Sequence, residues 1–118
     1  MTRDVRLYIN DMLEALEKIE EYTENVSEDD FFEDTQLQDA IVRRIEILGE
    51  SVKHIPQDIR DKYPEIPWRQ ISGMRDILTH EYFGINMSKV WKAITEDNPE
   101  IKENVLKIKR DLDKKYKK

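Results

Sequence analysis

Residues 37 to 56 read LQDAIVRRIEILGESVKHIP. Within them Leu37, Ile41, Ile45, Leu48 and Val52 step by four, four, three and four, the spacing that gathers apolar side chains into one stripe on a helix. The stripe predicts a helix over 35–54 that stops at Ile55. Pro56 supplies no backbone donor and drives the preceding residue out of helical dihedrals, yet is itself comfortable in a helix first turn.

The same period extends in both directions. Upstream, Val5, Tyr8, Ile9, Met12, Leu13, Leu16 and Ile19 predict a helix over 3–24. Between these two helices Ser27 precedes Asp30 in capping-box spacing, which suits a turn or a short helical start. Downstream, 56–62 reads as a short helix, and Pro64 and Pro67 bracket an extended link. Pro67 then opens a helix through Trp68, Ile71, Met74 and Leu78, with Gly84 just beyond its end. Asn86 or Ser88 can cap a helix holding Met87, Val90, Trp91 and Ile94. Asn98 followed by Pro99 reads as the cap and first turn of a last helix striped by Ile101, Val105, Ile108 and Leu112. The expectation is an all-α bundle of about five to six helices in a single domain, residues 1–118. Only 3 Gly and 4 Pro in 118 residues leave too little punctuation for a β-sandwich.

Composition narrows the function. With no cysteine, disulfides, thiolate metal sites and cysteine nucleophiles are excluded, and 2 histidines leave a zinc site short of ligands. No apolar run is long enough to cross a membrane, and the opening MTRDVRLYIND lacks the apolar core of a signal peptide, so a cytoplasmic protein is expected. Charged residues make up 39% of the chain, and the net charge of −6 is unevenly placed. Residues 11 to 34 carry eleven acidic side chains and Lys18 alone as a base, the pattern of a solvated face and loop; residues 100 to 118 carry eight basic against four acidic ones. An acidic whole disfavours indiscriminate binding of phosphate backbones, so any contact with nucleic acid must rest on a local patch.

One stretch, RDILTHEYFG (75–84), joins a permanent cation, a group that titrates near neutrality and a phenol: Arg75 with Asp76, then His80, Glu81 and Tyr82. Histidine moves protons at neutral pH, arginine holds phosphate oxygens bidentately, and a tyrosine hydroxyl orients a substrate. These parts suffice to cleave RNA through its own 2′-hydroxyl. On an unbroken helix Arg75 and His80 stand about 140° apart, whereas Arg75 and Tyr82 share a face. For Arg75 and His80 to reach one phosphate, either the helix loosens near Thr79, as Gly84 would favour, or two copies meet across a symmetry axis. The alternative is structural: Arg75 pairs with Asp76 or Glu81 on the surface while His80 packs at a helix end.

RDILTHEYFG resembles the Arg, four residues, His, any residue, Tyr signature of the HEPN-domain ribonucleases, and more narrowly of the HepT toxins paired with MntA-type minimal nucleotidyltransferases. The segments 37–56, YPEIPW (63–68) and GMRDILTHEYFG (73–84) are similar to that family in the same order. The resemblance implies a HEPN-type helical bundle that forms a symmetric homodimer, with two motifs facing a shared cleft. It implies a metal-independent endoribonuclease that uses no cofactor, the toxin of a type VII-like toxin–antitoxin pair. Arg75 and His80 fall on its catalytic pair, Asp76 on the polar position after the arginine, and Tyr82 on the tyrosine that the antitoxin silences by AMP transfer. Glu46 and Glu50 match acidic positions of the family, with salt bridges to Arg43 or Arg44 as the competing role. The competing function is a non-catalytic helical module that pairs with a nucleotidyltransferase and presents its substrate.

Residues 66 to 92 carry four basic side chains (Arg69, Arg75, Lys89, Lys92) against Asp76 and Glu81, a local excess that a two-fold axis would double around one cleft. The basic end could guide RNA or simply solubilise the last helix. Trp68 and Trp91 sit at core positions of their helices, with base stacking as the alternative, and His54 reads as a helix-end residue.

Overall fold

The computed structural model describes residues 4–80 and 87–116, with side chains for 4–74 and 87–115. Among these every regular element is helical. Helix α1 (Val5–Thr23) is capped by Asp4, whose carboxylate accepts from the Arg6 amide at 2.9 Å. The guanidinium of Arg6 donates to the same carboxylate, and that bond holds the Asp4 pKa below its ordinary value. After α1 the chain turns at Asn25 with φ 61°, a left-handed conformation that asparagine tolerates better than most side chains. The expected capping box is formed: Ser27 accepts from the Asp30 amide while Asp30 accepts from the Ser27 amide. It starts a complete helix, α2 (Glu28–Glu33), which buries Phe31.

Asp34 caps α3 (Thr35–Lys53), which ends where Pro56 requires. The short α4 (Gln57–Lys62) follows, and its Arg60 reaches back to donate to the carbonyls of Val52 and Ile55 at 2.6 and 3.0 Å. The Val52 carbonyl, which also accepts from the Ile55 amide, and the Ile55 carbonyl beyond the helix thus gain a side-chain donor. Helix α5 (Trp68–His80), α6 (Met87–Lys92) and α7 (Asn98–Tyr116) complete the bundle.

Two apolar clusters share α1 and α3. The larger joins Met12 and Leu16 of α1, Leu48 and Val52 of α3, Ile71 of α5, and Val105 and Ile108 of α7. The smaller gathers Ile19, Phe31, Ile41, Ile45, Val90 and Ile94. Both tryptophans pack: Trp68 is buried in the first cluster, and Trp91 lies half-buried with its ring 5.2 Å from that of Phe31. The acidic face of α1 is partly paired, with Lys102 of α7 3.0 Å from Glu20 and Arg44 of α3 4.0 Å from Glu14. Half-exposed pairs of this kind each contribute little, up to about 1 kcal/mol.

One boundary differs from the sequence expectation. Asn98 does not cap a new helix: it has helical dihedrals, φ −60° and ψ −39°, and its amide donates to the carbonyl of Ala93. A π-helical turn over Ala93–Asp97 therefore joins α6 to α7 without a break. The physical reason is Pro99, which has no N–H to give to the carbonyl four residues earlier; widening the turn by one residue lets the helix continue past it. Asn98, relieved of capping, is 7% exposed, and among the described residues its side-chain amide nitrogen has no hydrogen-bond partner.

The link between α4 and α5 is tied to α7 by the Tyr63 hydroxyl, which donates to the Asp111 carboxylate. Burial, reinforced by this bond, pushes the Tyr63 phenol up to about 12 from its ordinary 10.0. The folded chain therefore holds this proton more tightly than the unfolded one, so the contribution to stability is complete below pH 10 and is lost as the pH rises through about 12. Replacing Tyr63 by Phe should lower the unfolding free energy by about 1 kcal/mol at neutral pH. It should also flatten the loss of stability between pH 10 and about 12, measured by urea unfolding across that range.

Candidate active site on helix α5

The first half of α5 is held rigidly. Ile66 and Trp68 enter the large cluster together, and the Trp68 indole N–H donates to the Tyr63 carbonyl at 3.1 Å. One turn on, the Ile71 amide donates to Pro67 O at 3.0 Å, and its side chain is 7% exposed against α3 and α7 residues. Met74 packs on the smaller cluster. The register of α5 is thus set by Trp68, Ile71 and Met74 before the RDILTHEYFG segment begins.

That segment starts at Arg75. Arg75, Asp76 and His80 lie on the α-helical backbone of α5, which runs through Thr79 to His80 without the loosening that would turn both groups to one side. Helical geometry then leaves the Arg75 and His80 positions about 140° apart. Arg75 continues the stripe of Trp68 and Ile71, while His80, seven residues after Gly73, shares the stripe of Gly73. Among the described residues a Cβ built on Gly73 would meet nothing within 4 Å, so none of them calls for glycine there. The side chains of Arg75, Asp76 and His80, and Glu81, Tyr82 and Gly84 altogether, lie outside the described residues.

Glu46 and Glu50 are placed elsewhere. They line a shallow surface pocket with Tyr8 and Asp11 of α1, together with Arg43 and His54. Glu50 stands 3.5 Å from the imidazole of His54, whose ring stacks on Tyr8 at 4.5 Å between centroids. Arg44 turns instead to α1, pairing with Glu14 and donating to the Tyr22 hydroxyl at 3.3 Å. His54 is thus a helix-end residue with two partners. Among the described residues no group of three His, Cys, Asp or Glu side chains is arranged to hold a metal ion.

Alongside α5 runs a cavity of about 710 Å³, between α3, α5 and the π-helical turn. Ile45 and Leu48, Ile71 and Met74, and Ile94 line it with the buried Asn98. Asn98 carries no signal in sequence: an Asn-Pro pair reads as an ordinary helix start, and only the bundle shows it inside a turn.

The family described as ribonuclease HepT-like matches residues 12–108. Over 114 residues the chain is 49% identical to a Methanocaldococcus jannaschii protein named as a gamma-glutamylcyclotransferase and candidate RNase. That match covers 97% of this chain and 51% of the relative, so the chain spans about half of its length. The chain is 42% identical over 110 residues to a protein of Thermococcus cleftensis named as a probable ribonuclease HepT, covering 93% of this chain and 100% of the relative. It is 41% identical over 113 residues to a second M. jannaschii protein named as a candidate RNase, covering 96% of this chain and 93% of the relative. No solved structure matches the chain significantly.

Because Ile71 carries the register of α5 into the segment that follows, Ile71→Ala should cost about 2–5 kcal/mol of stability. Amide exchange should rise through Arg75 to His80 well beyond the general loss, whereas exchange raised equally along the whole chain would mean that Ile71 does not anchor this helix specifically.

Proposed function

The chain belongs to the HepT-like ribonuclease family, and we propose that it is a metal-independent endoribonuclease toxin that acts as a symmetric homodimer and is silenced by an MntA-type minimal nucleotidyltransferase. The observation that carries this reading is the Arg75, His80, Tyr82 signature, which lies within the matched residues and opens on a continuous helix. Two features of α5 support a dimer. The Arg75 and His80 positions diverge by about 140° on one helix, so a single copy does not direct both to one phosphate. The stripe of Gly73 and His80 is open at Gly73, where the absence of a side chain lets a second backbone come close.

In the proposed reaction the His80 imidazole takes the proton of a ribose 2′-hydroxyl. The 2′-oxygen attacks the adjacent phosphorus, the bond to the 5′-oxygen breaks, and that oxygen takes a proton from water while the His80 imidazolium returns its own to solvent. The products are a 2′,3′-cyclic phosphate and a 5′-hydroxyl. The Arg75 guanidinium holds the phosphate oxygens and offsets charge that grows on them in the transition state. Asp76 orients the arginine. RNA reaches this acidic protein through the local basic excess of residues 66–92.

Silencing follows from charge and bulk. The Tyr82 hydroxyl oxygen attacks the α-phosphorus of ATP, its proton passes to solvent and pyrophosphate leaves, placing a phosphodiester seven residues along the chain from Arg75. That anion pairs with the guanidinium and fills the place of the substrate phosphate without unfolding the domain.

Cleavage of RNA should persist in EDTA, yield 2′,3′-cyclic ends, and fall by about 10²–10⁴ in His80→Ala and Arg75→Ala. Loss in EDTA, or full activity in both variants, would refute the mechanism. Incubation with the nucleotidyltransferase and ATP should add the mass of adenylate and stop cleavage, with neither effect in Tyr82→Phe. Inhibition at unchanged mass would assign silencing to complex formation instead.

A further inference from the structure

Helix α5 carries two arginines, and only one of them has a part in the reaction above. The other, Arg69, is exposed, and no described residue forms an ion pair or hydrogen bond with it. Its place on the surface is nevertheless fixed. Trp68 on one side and Ile71 on the other are both 7% exposed in the large cluster, so the backbone at Arg69 is held between two core anchors. At 100° per residue, positions 69, 73, 76 and 80 fall within about 60° of one another, one stripe of an α-helix that is unbroken from Trp68 to His80. Arg75, by contrast, continues the stripe of Trp68 and Ile71. Of the two arginines, Arg69 alone therefore shares a face with the His80 position.

The two positions are eleven residues apart, about 16 Å along the axis. Both belong to one copy, so this spacing does not depend on how two copies meet. We infer that Arg69 holds a phosphate of the RNA several nucleotides from the cleaved bond, so that the substrate is a single strand long enough to reach from His80 to Arg69. This rests on the ribonuclease reading above.

Three considerations favour a phosphate at Arg69. A guanidinium is weakly hydrated and grips phosphate oxygens in a planar fork, which makes an unpaired one on a fixed helix a ready anion contact. The chain as a whole is acidic, with a net charge of −6, so a strand is held where single cations stand clear of carboxylates. Glu65, the carboxylate that precedes Arg69 in the sequence, lines the cavity beside α5 and forms no ion pair with it. Asp76 occupies the stripe between Arg69 and His80 and disfavours a phosphate midway, so the strand is held at the two ends of the span. A strand stacked at about 3.4 Å per nucleotide covers 16 Å in about five nucleotides, and a more extended one in fewer. A dinucleotide has one phosphate and cannot reach both ends.

The test measures cleavage of a dinucleotide and of a decanucleotide RNA by the full chain, Arg69→Ala and Arg69→Lys. Arg69→Ala should raise KM for the decanucleotide about fivefold at low salt with kcat unchanged, because the contact is made equally in the ground and transition states. The dinucleotide should show no such rise. With a non-cleavable 2′-deoxy decanucleotide, the slope of log Kd against log salt should fall by about 0.7 in Arg69→Ala and be kept in Arg69→Lys. A KM for the decanucleotide equal to that of wild type, or raised equally for both lengths, overturns the proposal even if RNA is cleaved. An Arg69→Ala chain that sediments as a monomer where wild type is a dimer overturns it too, by assigning Arg69 to the contact between copies. Length-dependent binding that needs Arg69, in a chain that cleaves no RNA, would keep the phosphate contact and discard the ribonuclease reading.

Discussion

The packing of Leu48 and Val52 of α3 against Leu16 of α1 and Ile71 of α5 is the contact on which the other elements depend. Among the described residues helix α3 is the long helix that meets both α1 and α5 extensively, and its stripe at 41, 45, 48 and 52 is buried from end to end. Once α1 and α5 are seated on it, α7 closes the remaining side through Val105 and Ile108, and α2 covers the far end with Phe31. Burying a Leu or Ile side chain is worth roughly 1.5–3 kcal/mol, far more than the half-exposed ion pairs of α1. The acidic face of α1 decorates the bundle and does not hold it.

This seating explains where α5 can carry chemistry. Its first two turns are committed to the core through Trp68 and Ile71, so their conformation is not available for adjustment. Arg75 and His80 follow as positions on a helix whose register is already decided. A single copy places the two positions on different sides of the helix, so the proposed reaction at one phosphate calls for a two-fold axis.

How much could be read in advance depended on the range of the forces. The helices over 5–23, 35–53 and 98–116 were legible because each buries one continuous stripe, a local pattern in the chain. The Ser27 and Asp30 box was legible for the same reason. The joint at Asn98 was not. A capping Asn before Pro99 and a π turn ahead of Pro99 look alike in sequence; what separates them is that Ile94 and Ile101 on either side are both buried, which only the packed bundle reveals. Arg60 closing α3, and Glu50 beside His54, likewise depend on which elements end up adjacent. For the proposed site, only residue types and spacing at 75–82 can be read from sequence, and the cavity beside Asn98 was not legible, because its walls come from three separate helical segments.

The central claim is that a cleavage site takes its arginine from one copy and its histidine from the other. Mixing the Arg75→Ala and His80→Ala chains after unfolding and refolding them together tests it most directly. A symmetric dimer of the two has one site in which both groups are intact, so a statistical mixture of inactive chains should regain about a quarter of wild-type RNA cleavage. A mixture as inactive as either variant alone, with mixed dimers confirmed by mass, would contradict the claim.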